Sequence, residues 1–254
     1  MKSSRIQMTA LAMGGIWLVL AGASAARADE RRLQLAFEAG PAWQTRNDFR
    51  IPGDTGTLVD LADYDAGPAT SVRTTLTFNL TDKHSVRLLA APLRIKTAFT
   101  PEAPIRFQEL VFPAGQLVDA RYAFDSYRLS WYRRLAPRGK WSLRLGATLK
   151  VRSAEIGLNG QPGDSVKKNV GLVPLAYVYA RYQASDRFAL ELEADALAAP
   201  QGRAEDVSLK GVFRVSDRVD VDLGYRLLEG GADNDTVYTF AFFHYVAGGV
   251  RVRF

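Results

Sequence analysis

From Arg32 onward the apolar residues recur with a period of two, in one segment after another. Leu33, Leu35, Phe37 and Ala39 alternate with Gln34, Ala36, Glu38 and Gly40, and Val72, Thr74, Leu76, Phe78 and Leu80 with Ser71, Arg73, Thr75, Thr77 and Asn79. Trp141, Leu143, Leu145, Ala147 and Leu149 repeat the pattern, as do Phe188 to Ala194 and Val219 to Tyr225. No segment longer than a turn carries a helical stripe, so the chain reads as all-β. Turn signals divide it into ten strands, at about 32–46, 67–80, 84–98, 118–135, 141–157, 171–184, 187–198, 205–215, 218–229 and 237–254.

The connections differ in kind. Thr81-Asp82-Lys83, Ala136 to Lys140, Ser185-Asp186 and Ser216-Asp217 are tight and polar, whereas Asn47 to Gly67, Phe99 to Leu117 and Leu158 to Val170 are long and rich in Gly, Pro and Asp. Shorter loops are expected near Ala199 to Ala204 and Gly230 to Thr236. All tight turns then fall on one rim, together with both termini, and all long loops on the other. An even number of strands with this asymmetry is what a single closed antiparallel transmembrane β-barrel requires, with short periplasmic turns and longer extracellular loops.

Alternation alone does not say which face points inward, and a soluble barrel with an apolar interior shares the pattern. Three features favour the membrane form. The apolar faces carry small residues at mid-strand (Ala90, Ala147, Ala176, Ala194, Ala196), which would underfill a core but suit lipid. Aromatic residues on that face gather toward the tight-turn end (Phe78, Trp131, Trp141, Tyr182, Phe188, Phe213, Phe254) and toward the other (Trp43, Tyr225, Tyr238, Phe240), as two girdles. The polar face would carry Glu38, Arg73, Arg87, Arg226 and Arg251 among many other charges.

Composition sharpens this picture. The chain of 254 residues has no cysteine and two histidines, so disulfides, thiol nucleophiles and thiolate metal sites are absent, and neither a metal nor a cofactor is expected. Lys2 and Arg5 precede an apolar run from Leu11 to Leu20, followed by small residues and Ala26-Arg27-Ala28. That is the form of a secretory signal peptide, residues 1–28, leaving 29–254 as the barrel. The formal charge is +6, and removing Lys2, Arg5 and Arg27 leaves 30 basic against 27 acidic residues, or +3. Spread evenly, that charge gives no clustered basic face for nucleic acid.

The chain ends Gly248-Gly249-Val250-Arg251-Val252-Arg253-Phe254. Gly249, Val250, Val252 and the terminal Phe254 resemble the C-terminal signal by which the barrel-assembly machinery recognises bacterial outer-membrane proteins, although Ala247 stands where that pattern has a polar residue. With the leader and ten strands, the mature chain resembles the small outer-membrane β-barrels of Gram-negative bacteria. The resemblance implies an outer-membrane location, lipid and lipopolysaccharide as surroundings, and assembly by that machinery. A monomer is expected.

Catalysis has few occupants. Asp119, Asp125, Glu229, Asp233 and Asp235 are predicted at the outer rim, but His84 is predicted at the opposite one. His244 has the parity of Val246 and Val250, which puts it toward lipid near the outer interface beside Phe243 and Tyr245, and no Ser follows it. No catalytic residue is assigned. Glu229 to Asp235 has the oxygen density of a cation loop without an EF-hand's spacing, and reads as a solvated turn. Arg46, Arg50, Arg94, Lys96, Arg121, Arg152, Lys167 and Lys168 are placed at the outer rim, where cations suit lipopolysaccharide phosphates.

The lumen carries the clearest signal. Glu191, Glu193 and Asp195 lie at i, i+2 and i+4 and share a face. With Asp220 and Asp222 they make one acidic wall, opposite Arg128, Arg144, Lys150 and Arg214. Across a lumen little wider than that of an eight-stranded barrel, such walls are expected to pair and fill the interior, so a structural or surface-interaction barrel is favoured over a narrow solute channel, and over a lipid-modifying or proteolytic enzyme.

Overall fold

The computed structural model describes residues 32–64, 66–199 and 202–254, and the leader read at 1–28 lies outside them. The described strands are β1 (Leu33–Arg50), β2 (Val59–Asp60), β3 (Ala69–Asn79), β4 (His84–Phe99), β5 (Ile105–Phe107), β6 (Leu110–Phe112), β7 (Val118–Arg134), β8 (Trp141–Gly160), β9 (Gly163–Gln183), β10 (Phe188–Ala199), β11 (Gly202–Arg214), β12 (Val219–Asn234) and β13 (Val237–Arg253). Ten of them, all but β2, β5 and β6, pair antiparallel with their neighbours in sequence order. β1 then pairs with β13 from Gln34↔Arg253 to Arg50↔Tyr238 and closes the wall. Closure matters because an open edge in lipid would leave a row of N–H and C=O groups without partners.

Three of the four tight turns form at one end through their own hydroxyls, and the fourth through a backbone bridge between Arg138 and Trp141. Thr81 Oγ1 accepts from the N–H of Lys83 and of His84, Ser185 Oγ from Phe188, and Ser216 Oγ from Arg218 and Val219. These residues hold the turn backbone that two-residue spacing requires. At the closing seam, pairing is interrupted between Ala39↔Gly248 and Ala42↔Tyr245. A Cβ on Gly40 would lie 2.0 Å from the Val246 carbonyl oxygen, so the seam needs glycine there.

The predicted faces are the observed ones. Leu129, Leu145, Leu192, Leu209 and Leu223 stand exposed on the outside, while Glu38, Arg87, Arg128, Asp195, Asp206 and Arg226 are buried inside. An apolar band of this extent cannot face water, and it is the lipid-facing surface of a membrane barrel. Among the described residues no helix is long and apolar enough to cross a membrane, and the strands do so instead.

The outer end differs from the expected loops. The segment 158–170 is not a long loop: β8 and β9 run on as a hairpin to Gly160↔Gly163. β12 likewise continues to Asn234, whose Oδ1 accepts from the N–H groups of Thr236 and Val237 and makes the turn. The two remaining long connections carry β2, a 3-10 turn (Leu61–Asp63), and the β5–β6 hairpin. They lock together through Gln108 N–H to Ile51 O (2.9 Å) and Thr57 N–H to Arg106 O (3.0 Å). Phe49, Ile51, Leu61, Phe99, Ile105, Phe107, Phe112 and Val118 bury one another between them, with Phe49 edge-on to Phe107 at 5.5 Å. The outer mouth of the lumen therefore lies under an apolar cap.

Candidate functional site: the charged lumen

Period-two alternation on ten tilted strands aims every second side chain into a narrow interior, and here that interior is ionic. Its centre is Asp206 on β11. Asp206 Oδ2 accepts from Arg128 Nη2 at 2.5 Å and Arg73 Nη2 at 2.7 Å, and Oδ1 from Arg226 Nη1 at 2.5 Å. Asp195, its ladder partner on β10, accepts from Arg128 Nη1 (2.8 Å) and Arg87 Nη2 (3.0 Å) on Oδ2, and lies 2.6 Å from the Thr148 hydroxyl on Oδ1. Arg128 thus bridges the two carboxylates, while its Nε donates to Ser126 Oγ at 2.9 Å. Arg87 also pairs with Glu193.

Below this level Glu38 on β1 pairs with Lys210 on β11 and, at 3.3 Å, with Arg226. Lys210 stands 3.6 Å from Asp222. Glu191 receives a two-pronged contact from Arg251 (2.9 and 2.7 Å) and a third bond from Arg181 at 2.5 Å. A planar guanidinium matched to a carboxylate in this way fixes geometry as well as charge. Asp220 pairs with Arg253. In the central group Arg73, Arg87, Arg128, Lys210 and Arg226 face Glu38, Glu193, Asp195, Asp206 and Asp222, five charges against five. Some contacts join neighbouring strands, as Arg226 on β12 with Asp206 on β11, and others cross the lumen: Arg87 is on β4 and its partners on β10, and Arg73 is on β3 and Asp206 on β11.

Three residues of the predicted network sit elsewhere. Arg144 does not meet Glu191, Glu193 or Asp195; its guanidinium lies 4.1 Å from the Tyr179 ring and 5.4 Å from that of Tyr132, because those tyrosines occupy its level of the interior. Arg214 forms no ion pair among the described residues, being near the tight-turn rim, where its ladder partner is Asp220 and Arg253 takes that carboxylate. Lys150 is buried but, among the described residues, has no carboxylate within ion-pair distance; it lies 4.7 Å over the Phe124 ring. Asp206 was missed as a site residue, although the even parity it shares with Lys210 on β11 points it inward.

The C-terminal residues take ordinary barrel positions. Val250 and Phe254 are exposed on the outer face, and Phe254 N–H donates to Leu33 O at 2.8 Å. Gly249 faces inward, where a Cβ would meet the Asp222 carboxylate at 2.8 Å. His84 stacks on Trp131 at the tight-turn end. His244 lies on the outer face, with Nε2 2.9 Å from Thr45 Oγ1 and Nδ1 against the Tyr225 hydroxyl. The rim acids are dispersed among arginines: Asp125 with Arg94, and Glu229 with Arg203. Among the described residues there is no group of three or more His, Cys, Asp or Glu side chains placed to hold a metal.

No protein-family model matches the chain, and no curated protein matches it in sequence. Its fold is found among solved structures. The outer-membrane protease OmpT from Escherichia coli superposes with a TM-score of 0.55 at 8% identity, covering 88% of this chain and 97% of that one. The translocator domain of the autotransporter NalP from Neisseria meningitidis gives 0.44 at 10% identity, covering 89% and 90%. Ail, the attachment invasion locus protein of Yersinia pestis, gives 0.38 at 10%, covering 86% and 99%. The apolar exterior, closed ten-stranded wall, asymmetric rims and shared architecture identify the chain as a β-barrel of the bacterial outer-membrane type.

Proposed function

We propose that the protein is a non-conducting outer-membrane barrel of structural or surface-interaction type, rather than a solute channel. One observation carries this reading: the Arg73, Arg128, Arg226 and Asp206 cluster spans the lumen, with Arg128, Arg226 and Asp206 buried and the Arg73 side chain 11% exposed. A water-filled channel would leave such groups hydrated and individually mobile. Here three guanidinium groups are directed at one carboxylate in mid-lumen, which supports an interior closed to ions. In planar bilayers the purified barrel is expected to show no steady conductance. Well-defined open-channel steps would overturn this assignment and favour the channel.

On the outside, Arg46 and Arg50 lie over the Phe240 and Tyr238 rings at 5.0 and 5.2 Å, and Arg46 Nη2 donates to the Tyr238 hydroxyl at 3.0 Å. Cations held on aromatic rings at the outer interface fit the phosphates of lipopolysaccharide, which we assign as the lipid partner of this face. We assign no reaction to the barrel.

The C-terminal strand is proposed as the segment read by the assembly machinery. Phe254 is 60% exposed, so removing it costs the finished barrel at most about 1.5–3 kcal/mol of burial. Deleting it is nevertheless expected to deplete folded protein from outer membranes, measured by heat-modifiable mobility in membrane fractions. Unchanged levels would show that Phe254 is only a girdle residue.

A further inference from the structure

Above the ion network and below the apolar cap lies a cavity of about 440 Å³, in the size range of small-molecule sites. Its β8–β9 wall carries Lys150, Arg152 and Lys167, all on inward-facing positions. Lys150 is only 2% exposed and, among the described residues, has no carboxylate within ion-pair distance, while Arg152 gives Nη2 to the neutral Asn169 and its Nε is buried without a hydrogen-bond partner. Buried cations are ordinarily paired. The facing wall is apolar, with Leu228, Ala241 and Phe243.

Among the described residues the cavity is open sideways. β9 pairs with β10 only as far as Ala176↔Ala196, and the β10–β11 ladder stops at Ala199↔Gly202. Above that level, among the described residues, residues 163–175 of β9 have a strand partner on the β8 side alone. Pro174, which has no N–H to donate, stands just past the last β9–β10 pair, where an edge tolerates it. The cavity lining includes Leu172 and Pro174 on one side of this gap and Arg203 and Gly231 on the other, residues of the outer face, so the space runs through the wall. Val170 and Leu172, 70% and 68% exposed, carry the lipid-facing surface up to the gap.

We propose that this cavity binds a single-chain amphiphile with an anionic head, admitted laterally from the outer leaflet. The head pairs with Lys150 and Arg152, and the alkyl chain lies along Leu228 and Phe243 and out past Leu172. Among the described residues the one carboxylate at the cavity, Glu229, is on the outer face and already paired with Arg203, so on the inner lining only the neutral Asn169 amide, which accepts from Arg152 Nη2, engages the cations.

The test places the refolded full barrel in phosphatidylcholine nanodiscs and titrates it with three sixteen-carbon probes: palmitate, 1-palmitoyl lysophosphatidylglycerol and uncharged hexadecanol. Saturable one-to-one binding of palmitate or the lysolipid is expected, and the tighter of the two names the head, carboxylate or phosphate. Hexadecanol is expected to bind about tenfold more weakly, as is either anion to the Lys150→Gln/Arg152→Gln double variant, a ratio set by loss of the charge-assisted contacts. Heat-modifiable mobility checks that the variants fold, and Ala204→Trp, which fills the cavity without touching the cations, is expected to remove binding. The inference fails if neither anion binds saturably, if hexadecanol binds as tightly as they do, or if either variant binds like the parent. Since conductance is not read, failure here leaves the non-conducting assignment standing, and the reverse.

Discussion

Asp206→Ala is expected to cost the refolded barrel about 3–5 kcal/mol, the range for removing one partner from a buried ion pair. Arg73, Arg128 and Arg226 all converge on this carboxylate. Without it, three guanidinium groups face one another at the centre of the lumen with Asp195 and Glu38 left to share among them. Asp206→Asn should behave similarly, since its amide group presents donors to donors. Glu193→Gln is the comparator. Glu193 is 24% exposed and its partner Arg87 keeps Asp195, so its loss should cost clearly less than that of Asp206. Urea titrations in phospholipid vesicles, followed by tryptophan fluorescence, read both. An Asp206→Ala barrel within about 0.5 kcal/mol of the parent would mean that the lumen is hydrated and its charges are screened.

How far this site could be read from sequence depends on what enforces the pattern. Within the bilayer, lipid excludes polar side chains from one face, so parity is strict, and the inward positions of Glu191, Asp195, Arg128 and Asp222 follow from their spacing alone. Partner choice does not, because it depends on strand tilt and stagger. The expectation that Arg144 and Arg214 meet the acidic wall failed on height, not on face: tyrosines occupy Arg144's level, and Arg214 sits at the rim. Above the bilayer lipid imposes nothing, and the ladder continues under mixed sequences such as Glu155 opposite Lys168. The β8–β9 extension was therefore hidden behind residues that read as loop. Arg152 and Lys167, placed at the outer rim by their predicted strand and loop positions, line the cavity for the same reason. The apolar cap was invisible because Phe49 and Phe107 are brought together by loop closure, and neither lies in a periodic run.

Leu209→Arg separates the bilayer reading from any water-soluble one. Leu209 is 55% exposed and points outward from β11, four residues above the girdle residue Phe213. With a hydrophobic band about 25 Å tall and strands tilted by about 35–45°, that places it near the midplane. In water, a charge at so exposed a position would change stability by no more than about 0.5 kcal/mol. In lipid, arginine near the midplane is expected to cost about 2–4 kcal/mol, falling to about 0–1 kcal/mol toward the interface. Moving the substitution to Val215, exposed beside the Ser216 turn, should therefore recover most of the loss with the same side chain. Unfolding titrations of both variants in vesicles test the depth dependence directly. Equal small effects at Leu209 and Val215 would show that water, not lipid, covers this face, whereas a loss confined to Leu209 follows only if the apolar exterior is embedded.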